Sequence, residues 1–246
     1  MTDVLSVEHV SWHAGAVPII SDVTLSVAPG ELVALIGPNG AGKTSLFNVV
    51  SGLNRPSGGR VLLGGTDVTR LAPYRRARLG LGRTFQTSAV FGSLSVTENV
   101  ALAVQAARGG SMRPWRRRSD RDITAAAGEI LGRVSLAPAK KAGELSHGEK
   151  RKLEIALLLA AAPKMLLLDE PMAGVSAEDV PALAEVIRGL TGDGRGVLMV
   201  EHHMDVVLDL ADRVAVMHHG TLLACDSPDA VMADATVQEA YVGEAL

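Results

Sequence analysis

Apolar positions along this chain fall into two alternating patterns. Continuous apolar runs lie in "ELVALIG" (31–37), "KMLLLDE" (164–170) and "GVLMVEHH" (196–203). Such runs suit strands buried on both faces of a sheet, because a half-exposed strand would alternate with polar residues. Between them, "KTSLFNVVSGL" (43–53) and "AEDVPALAEVIRGL" (177–190) carry helical patterns, and Gly52 with Pro56 closes the first. Strand and helix in repetition predict an α/β fold, a parallel sheet covered by helices.

Other stretches depart from that alternation. "VLSVEHVSW" and "IISDVTLSVAPGE" are short β-type runs ending at Pro29-Gly30, and "GGRVLLGGTDVT" (58–69) adds further short strands with glycine turns. Together they predict an antiparallel flap. From about Ala89 to Val134 the pattern is mostly helical, interrupted by "RGGSMRPWRRRSDRD" (108–122), which predicts an inserted helical subdomain. "DRVAVMHHGTLLACD" (212–226) predicts a strand, a His-Gly turn and a returning strand.

Composition narrows the classes. A chain of 246 residues with 47% hydrophobic residues suits one elaborated globular domain, and a formal charge of −3 gives no basis for a nucleic-acid partner. Cys225, the single cysteine, has no internal partner and points to a reducing compartment. The start "MTDVLSVEHV" has an acid where an export signal would carry basic residues. The longest apolar region, "IALLLAAAPKMLLLDE", is broken by Pro163 and Lys164, short of the ~20 residues of a spanning helix.

The chemistry concentrates at the ends of the apolar runs. "GPNGAGKT" (37–44) fits G-x-x-x-x-G-K-[ST] and lies between a buried strand and a helix. Its glycines let backbone N–H groups converge on phosphate oxygens, Lys43 adds a point charge, and Thr44 offers a hydroxyl to Mg²⁺. "KMLLLDEP" delivers Asp169 and Glu170 at a strand's carboxyl end, where ligands bind in open parallel sheets. Asp169 suits the metal shell, and Glu170 suits the orientation or deprotonation of water. "ELSHGEKRKLEIA" (144–156) crowds Ser146, His147 and Glu149 around Gly148. Neighbours at a helix start diverge, so no hydrolytic triad forms; Ser146 and Glu149 instead have the spacing of a capping box.

These motifs, in this order, resemble those of the ATP-binding cassette ATPases, and the likeness covers nearly the whole chain. "GPNGAGKT" resembles the Walker A motif, Gln86 in "RTFQT" the Q-loop glutamine, "LSHGE" the signature, "LLLDEP" Walker B, and His202 in "MVEHHMD" the switch histidine. The resemblance implies a P-loop NTPase (RecA-like) parallel sheet core within a single nucleotide-binding domain. An antiparallel β subdomain would span 1–30 and about 55–70, and a helical subdomain about 87–150. It implies that Gly37, Pro38, Asn39, Gly40, Ala41, Gly42, Lys43, Thr44 and Ser45 bind ATP, with Thr44, Gln86 and Asp169 at Mg²⁺ and Glu170 and His202 catalytic. It implies further that Ser146, His147, Gly148 and Glu149 meet the ATP held by an opposite subunit.

Departures from the family pattern accompany the likeness. His147 and Glu149 stand where LSGGQ has Gly and Gln, and Ser176 in "MAGVS" replaces a frequent aspartate. An extra carboxylate beside a triphosphate is unfavourable unless directed away, which a capping box would do. "SWHAGAVP" offers Trp12 or His13 to adenine, although Trp12 equally suits packing in the flap. The arginines at 108, 113, 116, 117, 118 and 121 suit a solvated loop, or anionic headgroups beside a membrane.

The implied protein is an ATPase subunit that dimerises, as a homodimer or heterodimer, around two ATP at the cytoplasmic face of the inner membrane. Its partners would be a second cassette, transmembrane permease subunits and, indirectly, a periplasmic or extracellular solute-binding protein, with no nucleic acid. "RTFQT", "DEPMAGVSAED", "VEHHMDVV" and "QEAYVGEAL" look most like branched-chain amino-acid importer ATPases. Urea or amide import, lipid or lipopolysaccharide export, and a soluble role in DNA repair or translation are the alternatives.

Overall fold

The computed structural model describes residues 2–84, 90–109 and 120–242. The amino-terminal part comprises β1 (Leu5–Ala14), β2 (Val17–Val27), β3 (Leu32–Ile36), α1 (Lys43–Ser51), β4 (Gly58–Leu63), β5 (Thr66–Asp67), α2 (Pro73–Arg78) and β6 (Leu81–Arg83). Then come α3 (Val96–Ala107), α4 (Asp120–Arg133), α5 (His147–Leu159), β7 (Met165–Asp169) and α6 (Val180–Arg188). The remainder is β8 (Gly196–Val200), α7 (Met204–Leu210), β9 (Arg213–His218), β10 (Thr221–Asp226), α8 (Pro228–Ala233) and α9 (Ala235–Val242). Two compact units emerge, one of 1–83, 164–171 and 190–246, the other of 84–163 and 172–189.

The first unit holds two sheets. Strands β2, β1, β4 and β5 form an antiparallel sheet in that order, and β10, β9, β3, β8, β7 and β6 form the second. Every pair in the second sheet is parallel except the hairpin β9–β10. Its central strands are buried throughout, as their uninterrupted apolar runs require. The His-Gly turn expected at 218–220 connects β9 to β10, with both His219 (φ 46°) and Gly220 (φ 81°) left-handed, as a tight hairpin requires.

Register decides where the chemistry lies. Leu35 pairs with Val200, and Val200 with Asp169, so β3, β8 and β7 end level with one another. The glycine loop after β3, the Glu201–His202 segment after β8 and the Asp169–Glu170 pair of β7 therefore emerge on one edge of the sheet. Ligands gather at such carboxyl ends because the parallel arrangement leaves the loops there free to converge.

The second unit is helical, with α3, α4, α5 and α6 packed on one another. Both α3 and α5 start with capping boxes, Ser95 with Glu98 and Ser146 with Glu149. Each box satisfies N–H groups that the first helical turn leaves without an intrahelical acceptor.

Candidate functional site

The glycine loop has a backbone only glycine permits at two points. Gly37 has φ 145°, and a Cβ there would fall 2.1 Å from the carbonyl oxygen of Met217. Gly42 has φ 101° and directly precedes α1, whose N-terminus has no side-chain cap. The first-turn N–H groups of a nine-residue helix thus open toward the loop, which is the arrangement that binds phosphate. Lys43 is 6% exposed, and its Nζ donates to Gly37 O at 2.5 Å and Pro38 O at 2.8 Å. Its ammonium is thus held against carbonyls of the glycine loop itself. Pro38, Asn39, Gly40 and Ala41 complete the turn, while Thr44 is exposed and Ser45 half-buried in the first turn of α1.

At the end of β7 the two carboxylates differ. Asp169 is nearly buried, its side chain 8% exposed, and its Oδ2 accepts from Arg83 Nη2 at 3.1 Å. Glu170 is half-open at 43%, and its Oε1 lies 3.1 Å from His202 Nε2. Its backbone N–H donates to Val200 O at 2.9 Å, tying the residue to β8. Glu201, 2% exposed, accepts from the backbone N–H of His202 at 2.9 Å and of His203 at 3.3 Å, and contacts His203 Nδ1 at 3.0 Å. One buried carboxylate thus fixes the histidine segment. The two histidines diverge, His202 toward Glu170 and His203 toward Glu201, so they do not form a joint ligand pair.

The Ser146–Glu149 segment belongs to the helical unit. Ser146 Oγ accepts from the Glu149 N–H at 3.1 Å, and Glu149 Oε2 accepts from the Ser146 N–H at 2.9 Å. Both Glu149 oxygens also accept from Lys140 Nζ, at 2.7 and 2.8 Å. The Lys140 ammonium and then the Ser146 N–H hold the Glu149 carboxyl below the usual glutamate range. Ser146 Oγ further donates to Asp179 Oδ2 at 3.3 Å, and Gly148 is buried against Asp179, while His147 is exposed.

Gln86 lies outside the described residues, as do the arginines at 113, 116, 117 and 118. Trp12 is half-buried and packs on the core of the first unit, and the exposed His13 contacts Ser57 Oγ through Nδ1 at 3.0 Å. Sequence reasoning passed over Arg83, Asp179 and Glu201. Glu201 alone had a local signal, an acid directly after a four-residue buried run.

Comparison with known proteins places this geometry. A family model described as ABC transporter matches residues 20–173. The high-affinity branched-chain amino acid transport ATP-binding protein LivG of Escherichia coli is 35% identical, covering 98% of both chains. The lipopolysaccharide export system ATP-binding protein LptB of Haemophilus influenzae is also 35% identical, again over 98% of both. A solved ATP-binding cassette of an ABC transporter, in its ADP conformation, superposes with a TM-score of 0.85 at 30% identity, over 99% of this chain and 100% of that one. The α/β P-loop architecture expected from the motifs is the architecture of these cassettes.

Proposed function

The chain belongs to the ABC transporter family of ATP-hydrolysing subunits, and on that premise we propose that it drives solute import as one of two facing cassettes. The observation that carries this reading is the level ending of β3, β8 and β7, which gathers Lys43, Asp169, Glu170 and His202 on one sheet edge. Each residue has a separable task. The N–H groups at the start of α1 and the Lys43 ammonium bind the triphosphate; Glu170 holds the attacking water and takes up its proton; His202 fixes Glu170 and faces the terminal phosphate.

The donors present fit a magnesium ion. Among the described residues no three His, Cys, Asp or Glu side chains converge as a ready-made cage. Mg²⁺ is commonly held by one or two protein oxygens together with phosphates, and the Thr44 hydroxyl and Asp169 carboxylate are groups of that kind. When bound, the ion would supply positive charge to phosphate oxygens. Gln86 completes the proposed set from outside the described residues.

Ser146, Gly148 and the start of α5 are proposed to close the nucleotide site of a facing cassette, which makes ATP the adhesive between two copies or two related chains. Glu149 is turned to Lys140 and its own cap, and so adds no charge to that face. Among the described residues no helix is long and apolar enough to cross a membrane. Separate permease subunits are therefore proposed to carry the solute, with this chain peripheral on the cytoplasmic face.

Branched-chain amino acids are the proposed solute, supported by the likeness to LivG and by the segments around Arg83, Asp169 and His202. Lipopolysaccharide export is the second reading, because LptB is equally identical over an equal share of both chains. Co-purification separates them: permeases with an amino-acid-binding protein support import, and a lipid-extracting partner supports export. The ATPase assignment is tested with Glu170→Gln, which should retain ATP, accumulate the paired form and lose turnover. Sustained hydrolysis by that variant would refute the role of Glu170.

A further inference from the structure

Asp169 is held by Arg83, which opens "RTFQT" but has no role of its own among the motifs that point to the site. Arg83 ends β6, the edge strand beside β7, with Arg83 in register with Leu167. Its Nη2 donates to Asp169 Oδ2 at 3.1 Å, while Nη1 donates to Asn48 Oδ1 and Ser51 Oγ, both at 2.8 Å. The guanidinium carbon lies 5.7 Å from the centre of the Phe47 ring. Its side chain is 9% exposed and that of Asp169 8%, so the pair is shielded from water.

The three anchors share one origin. Phe47, Asn48 and Ser51 all belong to α1, the helix that opens with Lys43 and Thr44. Asn48 and Ser51 are three residues apart and hence neighbours on one helix face. Arg83 therefore spans from the phosphate-binding helix to the carboxylate at the end of β7. A planar guanidinium can use two edges at once, which a lysine ammonium cannot, and in a shielded pair that fork sets direction as well as charge.

We propose that Arg83 is a positioning residue for the metal, fixing the Asp169 carboxylate relative to α1 so that Asp169 and Thr44 present their oxygens at a set spacing. The inference rests on the assignment of Asp169 and Thr44 to Mg²⁺ made above. Arg83 touches neither nucleotide nor metal; it acts through Asp169. Partners that orient a metal-binding carboxylate from behind typically influence metal affinity on the order of 10–100-fold.

The test compares wild type, Arg83→Met, Arg83→Lys and Asn48→Ala. A fluorescent ATP analogue is titrated in EDTA, and Mn²⁺ is then titrated against the nucleotide-bound chain by electron paramagnetic resonance. Nucleotide affinity in EDTA should be unchanged in every variant, because Lys43 and the glycine loop are untouched. Half-saturating Mn²⁺ should rise on the order of 10–100-fold in Arg83→Met, with smaller rises in Arg83→Lys and Asn48→Ala. Unchanged or tighter Mn²⁺ binding in Arg83→Met would overturn the inference. Should Arg83→Met fail to fold, Arg83→Lys and Asn48→Ala decide: wild-type Mn²⁺ affinity in both overturns it. If Mn²⁺ fails to bind the wild-type nucleotide complex, the magnesium assignment itself falls and this inference with it.

Discussion

His202 Nε2 lies 3.1 Å from Glu170 Oε1, so the ends of β8 and β7 share a contact. Both side chains are 43% exposed, which leaves room for a third group beside them. Glu170 makes this contact from a left-handed backbone, φ 47°. Such a conformation costs a non-glycine residue on the order of 1–3 kcal/mol and persists where surrounding bonds enforce it. Here the Glu170 N–H bond to Val200 O is one of those bonds.

A pair acting as one unit should respond to substitution as one unit. Glu170→Gln is expected to lower single-turnover hydrolysis by roughly 10²–10⁴-fold, the range of a positioned general base. His202→Ala should cause a large loss alone and little further loss in the Glu170→Gln background, since effects within a unit are strongly non-additive. Multiplicative losses in the double variant, measured by phosphate release after rapid mixing, would show that the two residues act separately.

Glu149 yields a pH-dependent expectation. Its folded-state carboxyl is held below the ordinary range, first by Lys140 and then by the Ser146 N–H. A depressed folded value means that the carboxylate favours the native state. That stability is full above the unfolded glutamate value of about 4.3 and disappears as the pH falls through the lower folded value. Glu149→Gln should therefore destabilise the chain at neutral pH and lose that effect in acid, as denaturant midpoints at several pH values would show. Because the carboxylate is engaged with Lys140 and Ser146, the same variant should leave ATP-dependent pairing within about tenfold, or 1.4 kcal/mol, of wild type.

The sequence made some of this legible because the relevant partners are local. The glycine loop directly follows a buried run, and Ser146 and Glu149 are three residues apart, so spacing alone reveals both. Arg83 and Asp169 are separated by 86 positions, and only the β6–β7 pairing joins them. In "PYRRAR" (73–78) three arginines look alike, yet Arg76 is buried whereas Arg75 and Arg78 are exposed. Helix rotation and the route of the neighbouring chain select Arg76, and neither is encoded within six residues. The left-handed backbone of Glu170 likewise accompanies a bond to Val200 of β8, a strand remote in sequence.

Gly148 is constrained by contact rather than by backbone angle. A Cβ there would lie 2.8 Å from Asp179 Cβ and 2.9 Å from its Cγ and Oδ2. Because the first of these atoms is fixed to the backbone, the start of α6 would have to move. Gly148→Ala is expected to destabilise by about 1–3 kcal/mol, as overpacking does, and to weaken ATP-dependent pairing. Adding Asp179→Gly removes the colliding atoms and should recover part of the melting temperature. No recovery in the double variant would mean that the clash is not the cause.

Arg76 stabilises the far end of the phosphate-binding helix, with its residue surface only 1% exposed. Its Nη1 donates to Val49 O and Val50 O at 2.7 Å, Nη2 to Thr69 O at 3.0 Å, and Nε to Leu71 O at 3.0 Å. Val49 and Val50 lie in the last turn of α1, where intrahelical donors run out; Val49 O also accepts from the C-cap Gly52 N–H at 3.1 Å, and Arg76 supplies the remaining donors. Burial pushes the Arg76 pKa down to about 10, against a smaller opposing effect from Asp67, so the group stays cationic at neutral pH. Arg76→Met keeps a long apolar stem but removes the Arg76 donors from all four carbonyls, of which Val49 O retains the Gly52 N–H. Each buried acceptor left unpaired costs about 1–3 kcal/mol, and with partial relaxation the total should reach roughly 3–5 kcal/mol. Arg76→Lys preserves the charge, yet one ammonium cannot reach acceptors spread around a planar fork, so an intermediate loss is expected. Saturating ATP should raise the denaturant midpoint of both variants, because ligand binding to the native state adds stability by mass action. A loss below about 1 kcal/mol in Arg76→Met would place the hold on α1 elsewhere, since that is the net worth of a single ordinary hydrogen bond.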